Sequence, residues 1–171
     1  NPKWKLFLPI VMKTESLSTE EYAKLKSFMG LYFDWYMASP NSKPETHPLL
    51  ILEATEKKSL SQAKRGLEMA INDSVEMSND WTPEQVAEAD KKFAKRGLPT
   101  LSKLRRRYSR KYSQVLKRGS IKSVQEYYLL KGIADDLSIG MLPLEREKVG
   151  SMLNQYEKLV TEQNSTATPG D

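Results

Sequence analysis

The stretch that decides the fold, residues 82–119, reads TPEQVAEADKKFAKRGLPTLSKLRRRYSRKYSQVLKRG. It opens with Thr82 as a helix N-cap, followed by proline at the first helical position, and Gln85 completes a capping box. Gly97 and the proline two residues later end that helix, because neither residue continues an α-helix well. Thr100 then caps a second helix, over 101–118, which the glycine at 119 ends.

Similar start and stop signals occur on both sides of this stretch. They predict helices over about 19–38, 60–77, 123–137 and 143–160, and Pro48 is expected to open a short one. Asn-Gly and Asp-Gly hairpin turns are absent. We therefore predict a mainly α fold, a single-domain bundle of five to seven helices. One short strand pair is allowed, drawn from Trp4–Met12 and Leu49–Glu53.

The size and composition predict one helical domain over residues 1–162 and a disordered C-terminal tail over 163–171. The chain has 171 residues, enough for one core, and its end lacks large apolar side chains. The apolar run near the start is interrupted by Pro9, so we expect no membrane span. Cysteine is absent, which constrains the compartment little, and a cytoplasmic location is the expectation.

Catalytic signatures are missing from the sequence. There is no P-loop, dinucleotide fingerprint, His-Glu-x-x-His or Gly-x-Ser-x-Gly motif. His47, the single histidine, lies in a proline-rich turn and is expected to be solvent-exposed. We predict no catalytic residues, metal or cofactor. An enzyme built from scattered residues stays open, and a cleft lined by carboxylates with raised pKa would favour it.

The charge of the chain is segregated. Residues 91–125 contain thirteen Lys or Arg and no Asp or Glu, a net of +13. Residues 1–90 have ten basic and fourteen acidic side chains, and residues 126–171 have four and eight, so each flank has a net of −4. We call 91–125 the basic block. A field of this kind attracts phosphate backbones or acidic protein faces.

The helix predicted over 101–118 turns the basic block into a surface. At 100° per residue its apolar positions fall on one side. These are Leu101, Leu104, Tyr108, Tyr112 and Val115. Five basic residues lie opposite and are predicted to contact nucleic-acid phosphates along about 27 Å: Lys103, Arg106, Arg107, Arg110 and Lys117. Four more are predicted to extend the field: Lys95, Arg96, Arg118 and Lys122.

Three other interpretations of the basic block remain open. Acidic residues of flanking helices, namely Asp135, Asp136, Glu145 and Glu147, could fold over the basic face and neutralise part of it. The turn at 97–100 could belong to a helix-turn-helix whose second helix presents Ser102, Lys103 and Arg106 to bases. The basic face could also dock on an acidic protein, as in an immunity, adaptor or regulatory module, with Trp4, Trp35 and Trp81 as candidate anchors.

The composition and charge together favour a non-catalytic helical domain that binds an anionic partner. Nucleic acid is the first expectation, and an acidic protein surface is the alternative.

Overall fold

The computed structural model describes residues 17–166. These residues form eight α-helices and no strand, which confirms the mainly α class with one helix more than expected. The helices are α1 (Thr19–Tyr32), α2 (Pro48–Glu56), α3 (Leu60–Met77), α4 (Pro83–Ala94), α5 (Leu101–Tyr108), α6 (Arg110–Arg118), α7 (Val124–Asp135) and α8 (Pro143–Thr166). A π-helical turn, Phe33–Met37, follows α1, and a 3-10 turn, Pro44–Thr46, precedes α2.

Capping boxes form at the starts of α1 and α4, and the one at α4 confirms the prediction for Thr82 and Gln85. At α1, Ser18 Oγ accepts from the backbone N–H of Glu21, and Glu21 Oε2 accepts from the N–H of Ser18, both at 3.2 Å. At α4, Thr82 and Gln85 exchange the same bonds, at 3.3 and 2.9 Å. Each box gives partners to two amides that a helix start leaves unpaired, which fixes where the helix begins.

The short strand allowed over Leu49–Glu53 does not form, because this segment lies in α2, the short helix that Pro48 is expected to open. Pro48 occupies the start of that helix, and His47 Nδ1 accepts the backbone N–H of Leu49 at 3.2 Å. His47 is therefore a half-buried N-cap, with Nε2 at 3.1 Å from Asp34 Oδ1, and not the solvent-exposed loop residue expected. The other candidate strand, Trp4–Met12, lies outside the described residues.

The single helix predicted over 101–118 is divided at Ser109, which has an extended ψ of 119°. The buried Ser109 hydroxyl accepts the backbone N–H of Tyr112 at 3.1 Å and so caps α6. Serine competes in this way with the helical hydrogen bonds of its own backbone. Gly119, with φ of 77° in the left-handed region, ends α6.

The helices enclose two groups of buried side chains, and the break at Ser109 lies between them. The first group extends from Leu17 to Leu104 and is formed by α1 to α5. The second extends from Tyr112 to Met152 and is formed by α6, α7 and α8. The central helix α7 packs against α4 and α5 as well as α6 and α8. The single domain over 1–162 stays a prediction. Helix α8 extends to Thr166, within the stretch 163–171 expected to form the tail.

Candidate nucleic-acid interface

One member of the basic block is inside the protein. Arg105 lies on the inner side of α5 and is only 4% exposed. Its Nε donates to Ser78 Oγ at 3.0 Å, and its Nη2 donates to the Ser78 carbonyl. Burial lowers the pKa of Arg105, and the nearby Asp90 carboxylate opposes that shift. Arg105 joins α5 to the end of α3 and cannot reach a partner outside.

Arg106, a predicted phosphate contact, is held by Glu145 at the start of α8. Its Nε and Nη2 donate to Glu145 Oε1 and Oε2 at 2.9 and 2.5 Å, and the Tyr112 hydroxyl donates to Oε1 at 2.9 Å. The hydrogen bonds to Glu145 raise the pKa of Arg106, and burial raises that of Tyr112. Arg106 is therefore less available for phosphate contact than predicted, because both branches of its guanidinium already face a carboxylate.

Three further basic residues have carboxylate partners. Arg107 Nη1 lies 3.4 Å from Glu21 Oε1 in an exposed pair, and its guanidinium is 5.2 Å from the centre of the Tyr108 ring. Arg118 binds Glu126 and the Ser120 carbonyl, while Lys92 pairs with Glu88 at 3.0 Å. Arg107 and Arg118 are thus less available than predicted, although the exposed Arg107 pair is weak.

The other eight cations of the block have no carboxylate oxygen within 4.0 Å among residues 17–166. They are Lys91, Lys95, Arg96, Lys103, Arg110, Lys111, Lys117 and Lys122. Six of the nine predicted site residues, counting the five contacts and the four that extend the field, are in this set. Of the four acidic residues expected to neutralise the face, Glu145 alone forms an ion pair with the block in the described part of the chain. The expectation that acidic residues neutralise part of the basic face is therefore correct for Arg106, while eight cations of the block keep no ion pair among the described residues.

The unpaired cations do not form the straight 27 Å line predicted, because α5 and α6 are separate helices. On α5, Lys103 faces outward between the paired Arg106 and Arg107. On α6, Arg110 and Lys117 lie within an arc of about 100° that also contains Ser113 and Gln114. The buried residues of α6 lie on the opposite side. Two turns of helix separate Arg110 from Lys117, a rise of roughly 10 Å.

The start of α5 does not have the properties of a recognition helix. The Ser102 side chain is buried, and its N–H and Oγ donate to Asp90 Oδ1 and Oδ2 at 3.0 and 2.6 Å. Arg106, the third residue expected to read bases, is held by Glu145. Only Lys103 of that set is exposed and without an ion pair in residues 17–166. The packing of Ser102 and Arg106 therefore argues against direct base readout by this helix.

Several features of the surroundings were not predicted from the sequence. Trp35 and Trp81, candidate protein anchors, are half-buried and pack against the core, with the Trp81 ring 4.8 Å from that of Tyr36. The guanidinium of Arg96 lies 4.6 Å from the centre of the Trp35 ring. Trp4, the third candidate, lies outside the described residues. The sequence does not predict this cation–π contact, because Trp35 and Arg96 are 61 positions apart.

The fold and the site define a mainly α protein with a divided basic surface. Neither a known protein family nor a curated protein nor a solved structure matches the chain. Within residues 17–166 no helix combines the length and the apolar character needed to cross a membrane. The same residues contain no group of three or more histidine, aspartate or glutamate side chains placed to hold a metal ion.

Proposed function

We propose that the protein is a non-catalytic helical domain that binds nucleic acid through the outward face of α6. The observation that carries the proposal is the set of eight basic-block cations without an ion-pair partner among the described residues. Like charges at this density repel one another and do not stabilise the fold. Contact with a polyanion would replace that repulsion with attraction.

The contact residues of this proposal are Arg110, Lys111, Lys117 and Lys122. Arg110 and Lys117 share one face of α6, Lys111 lies at its edge, and Lys122 follows in the loop after Gly119. The polar residues between them, Ser113 and Gln114, can also donate hydrogen bonds to phosphate oxygens. An apolar side opposite this face anchors the helix to the second core, so the contact needs no refolding.

The expected mode is phosphate contact without sequence preference. Ser102 at the start of α5 is held by Asp90, which disfavours base readout there, and lysine and arginine side chains on an open helix face meet backbone phosphates first. Binding of this kind releases counterions, so it weakens steeply as salt is added. About four phosphate contacts to a duplex give a slope of log K against log salt near −3.6.

Fluorescence anisotropy with labelled duplex DNA, single-stranded DNA and duplex RNA tests the proposal. We expect binding at ~50 mM salt and a loss of roughly two orders of magnitude in affinity at ~200 mM. If the folded protein binds none of the three at ~50 mM salt, the proposal is wrong. An acidic protein would then be the better candidate for the basic surface.

A further inference from the structure

A groove of about 940 Å³ is lined by none of the four proposed phosphate-contact residues, Arg110, Lys111, Lys117 and Lys122. Its walls are α4 and the second half of α7, and the 97–100 turn and the 136–138 segment also line it. The volume is near the upper end of the range for small-molecule pockets. The groove brings the first group of helices next to α7 of the second, so that residues distant in sequence share one concave surface.

The lining of the groove is mostly apolar. Small side chains on its two walls, Ala87 and Ala94 on α4 and Gly132 on α7, leave the space between the helices open. Two large apolar residues border it without being covered: Leu137 is 87% exposed and Tyr128 is 44% exposed. Exposed apolar side chains around a concave surface are typical of a protein-binding site.

The charges at the groove leave a positive surplus of one, because four lysines and three aspartates line it. Its three carboxylates have internal partners: Asp90 accepts from Ser102, Asp136 accepts from Thr100 and Ser138, and Asp135 pairs with Lys131. Lys91 and Lys103 also line the groove, and neither has an ion pair in the described part of the chain. An occupant with acidic residues at the edges of an apolar face would match this pattern.

We infer that the groove binds an amphipathic helix of a partner protein, with an apolar face inward and acidic residues beside Lys91 and Lys103. The walls α4 and α7 have twelve residues each, about 18 Å, which accommodates roughly three turns of a third helix. Leucine-type side chains of that helix would cover Leu137 and Tyr128. The inference does not rest on the nucleic-acid proposal, because its ligand and its contact surface are different.

A protein helix fits the groove better than a nucleic acid does. A single strand needs aromatic rings on which successive bases stack, and Tyr128 is the single aromatic residue among those that line the groove. A duplex would place phosphates on the lysines but would leave the apolar lining uncovered. The lysines therefore act here as flanking charges of an apolar site.

The test uses a synthetic fourteen-residue peptide with leucine at helical i, i+3, i+4 and i+7 spacing and glutamate elsewhere. Two control peptides have the same residues in scrambled order, or lysine in place of glutamate. Fluorescence anisotropy should show saturable binding of the acidic amphipathic peptide below ~1 mM. Both controls should bind at least about tenfold more weakly, since they lack the apolar face or reverse its charge.

The contact surface is tested by filling the groove. A Cβ added at Gly132 meets no atom within 4 Å, so Gly132→Phe places its ring in the open groove without a clash at the backbone. We expect it to weaken peptide binding at least about tenfold. Gly66→Phe on α3 is the matched control, since a Cβ there also meets nothing within 4 Å, and should change affinity less than about twofold.

A second variant, Lys91→Glu with Lys103→Glu, tests the charges separately and should also weaken binding about tenfold or more. Circular dichroism shows whether Gly132→Phe folds. If it does not, the double charge variant still tests the inference. The inference is wrong if the folded protein does not bind the acidic peptide at ~1 mM, or if both altered proteins bind it like the wild type. A different result would assign the groove to nucleic acid instead: duplex DNA displaces the peptide, and Gly132→Phe lowers the affinity for both ligands equally.

Discussion

Arg106 and Glu145 form a two-pronged ion pair that joins α5 to the start of α8 across 39 positions of sequence. The pair is largely sheltered from water, with side-chain exposures of 22% and 13%. Tyr112, from the second core, donates to the same carboxylate. A residue expected to meet phosphates therefore ties the first group of helices to the second.

Loss of this pair should destabilise the fold. Arg106→Gln leaves Glu145 without its charged partner in a sheltered site, and we expect the free energy of unfolding to fall by about 1–3 kcal/mol. Arg107→Gln is the matched control, because its pair with Glu21 is exposed, and should change stability by less than about 0.5 kcal/mol. Urea unfolding of both variants measures the difference. Equal effects of the two substitutions would show that the Arg106–Glu145 pair does not join the helices.

The break in the basic helix depends on Ser109. Ser109→Ala removes the hydroxyl that accepts the Tyr112 amide, so unfolding should become easier by about 1 kcal/mol. Ser113→Ala, at an exposed position inside α6, should be neutral or slightly stabilising, because alanine is the better helix former. Thermal melts of the two variants provide the comparison. A Ser109→Ala protein as stable as the wild type would argue for one continuous helix over 101–118.

The two tyrosines of this region should respond differently to loss of the hydroxyl. The Tyr112 hydroxyl donates to Glu145 at 2.9 Å, whereas the buried Tyr108 hydroxyl has no hydrogen-bond partner among the described residues. Tyr112→Phe should therefore cost about 1–2 kcal/mol, and Tyr108→Phe should leave stability unchanged or raise it by up to about 1 kcal/mol. Chemical denaturation distinguishes them. A larger loss for Tyr108→Phe would mean that its hydroxyl has a partner.

Much of the helical architecture could be predicted from local sequence. A cap acts within four residues, so Ser18, Thr82 and Thr100 mark their helix starts without knowledge of the fold. Gly97 and Gly119 mark ends in the same way, and both have positive φ. The sequence left Leu49–Glu53 open because a short apolar run fits a strand or a helix equally, and the neighbouring His47-Pro48 cap favours the helix that forms.

The candidate site was harder to predict because it depends on long-range contacts. The apolar residues 101, 104, 108, 112 and 115 keep helical spacing across Ser109, so periodicity concealed the break. The partners of Arg106 and Arg107 are 39 and 86 positions away, and sequence spacing does not reveal such pairs. The segregation of charge predicts the excess of cations. Which of them are paired depends on how α8 and α1 pack, because these helices supply Glu145 and Glu21.

Binding of nucleic acid by α6 through phosphate contacts is tested most directly by the salt dependence of binding. Two charge-matched double variants are compared with the wild type. Arg110→Gln with Lys117→Gln removes two contacts from α6. Arg65→Gln with Lys58→Gln removes the same two residue types from exposed positions outside the basic block. Anisotropy titrations with one duplex at several salt concentrations give the slope for each protein.

We expect the α6 variant to bind every duplex sequence more weakly, with a salt slope shallower than the wild-type slope by about 1.8, at −0.9 per phosphate contact. The control variant should keep the wild-type slope to within about 0.5. Both proteins should remain folded, because all four side chains are exposed. A wild-type slope in the α6 variant, or an equal reduction in the control, would contradict the assignment of α6 as the nucleic-acid contact.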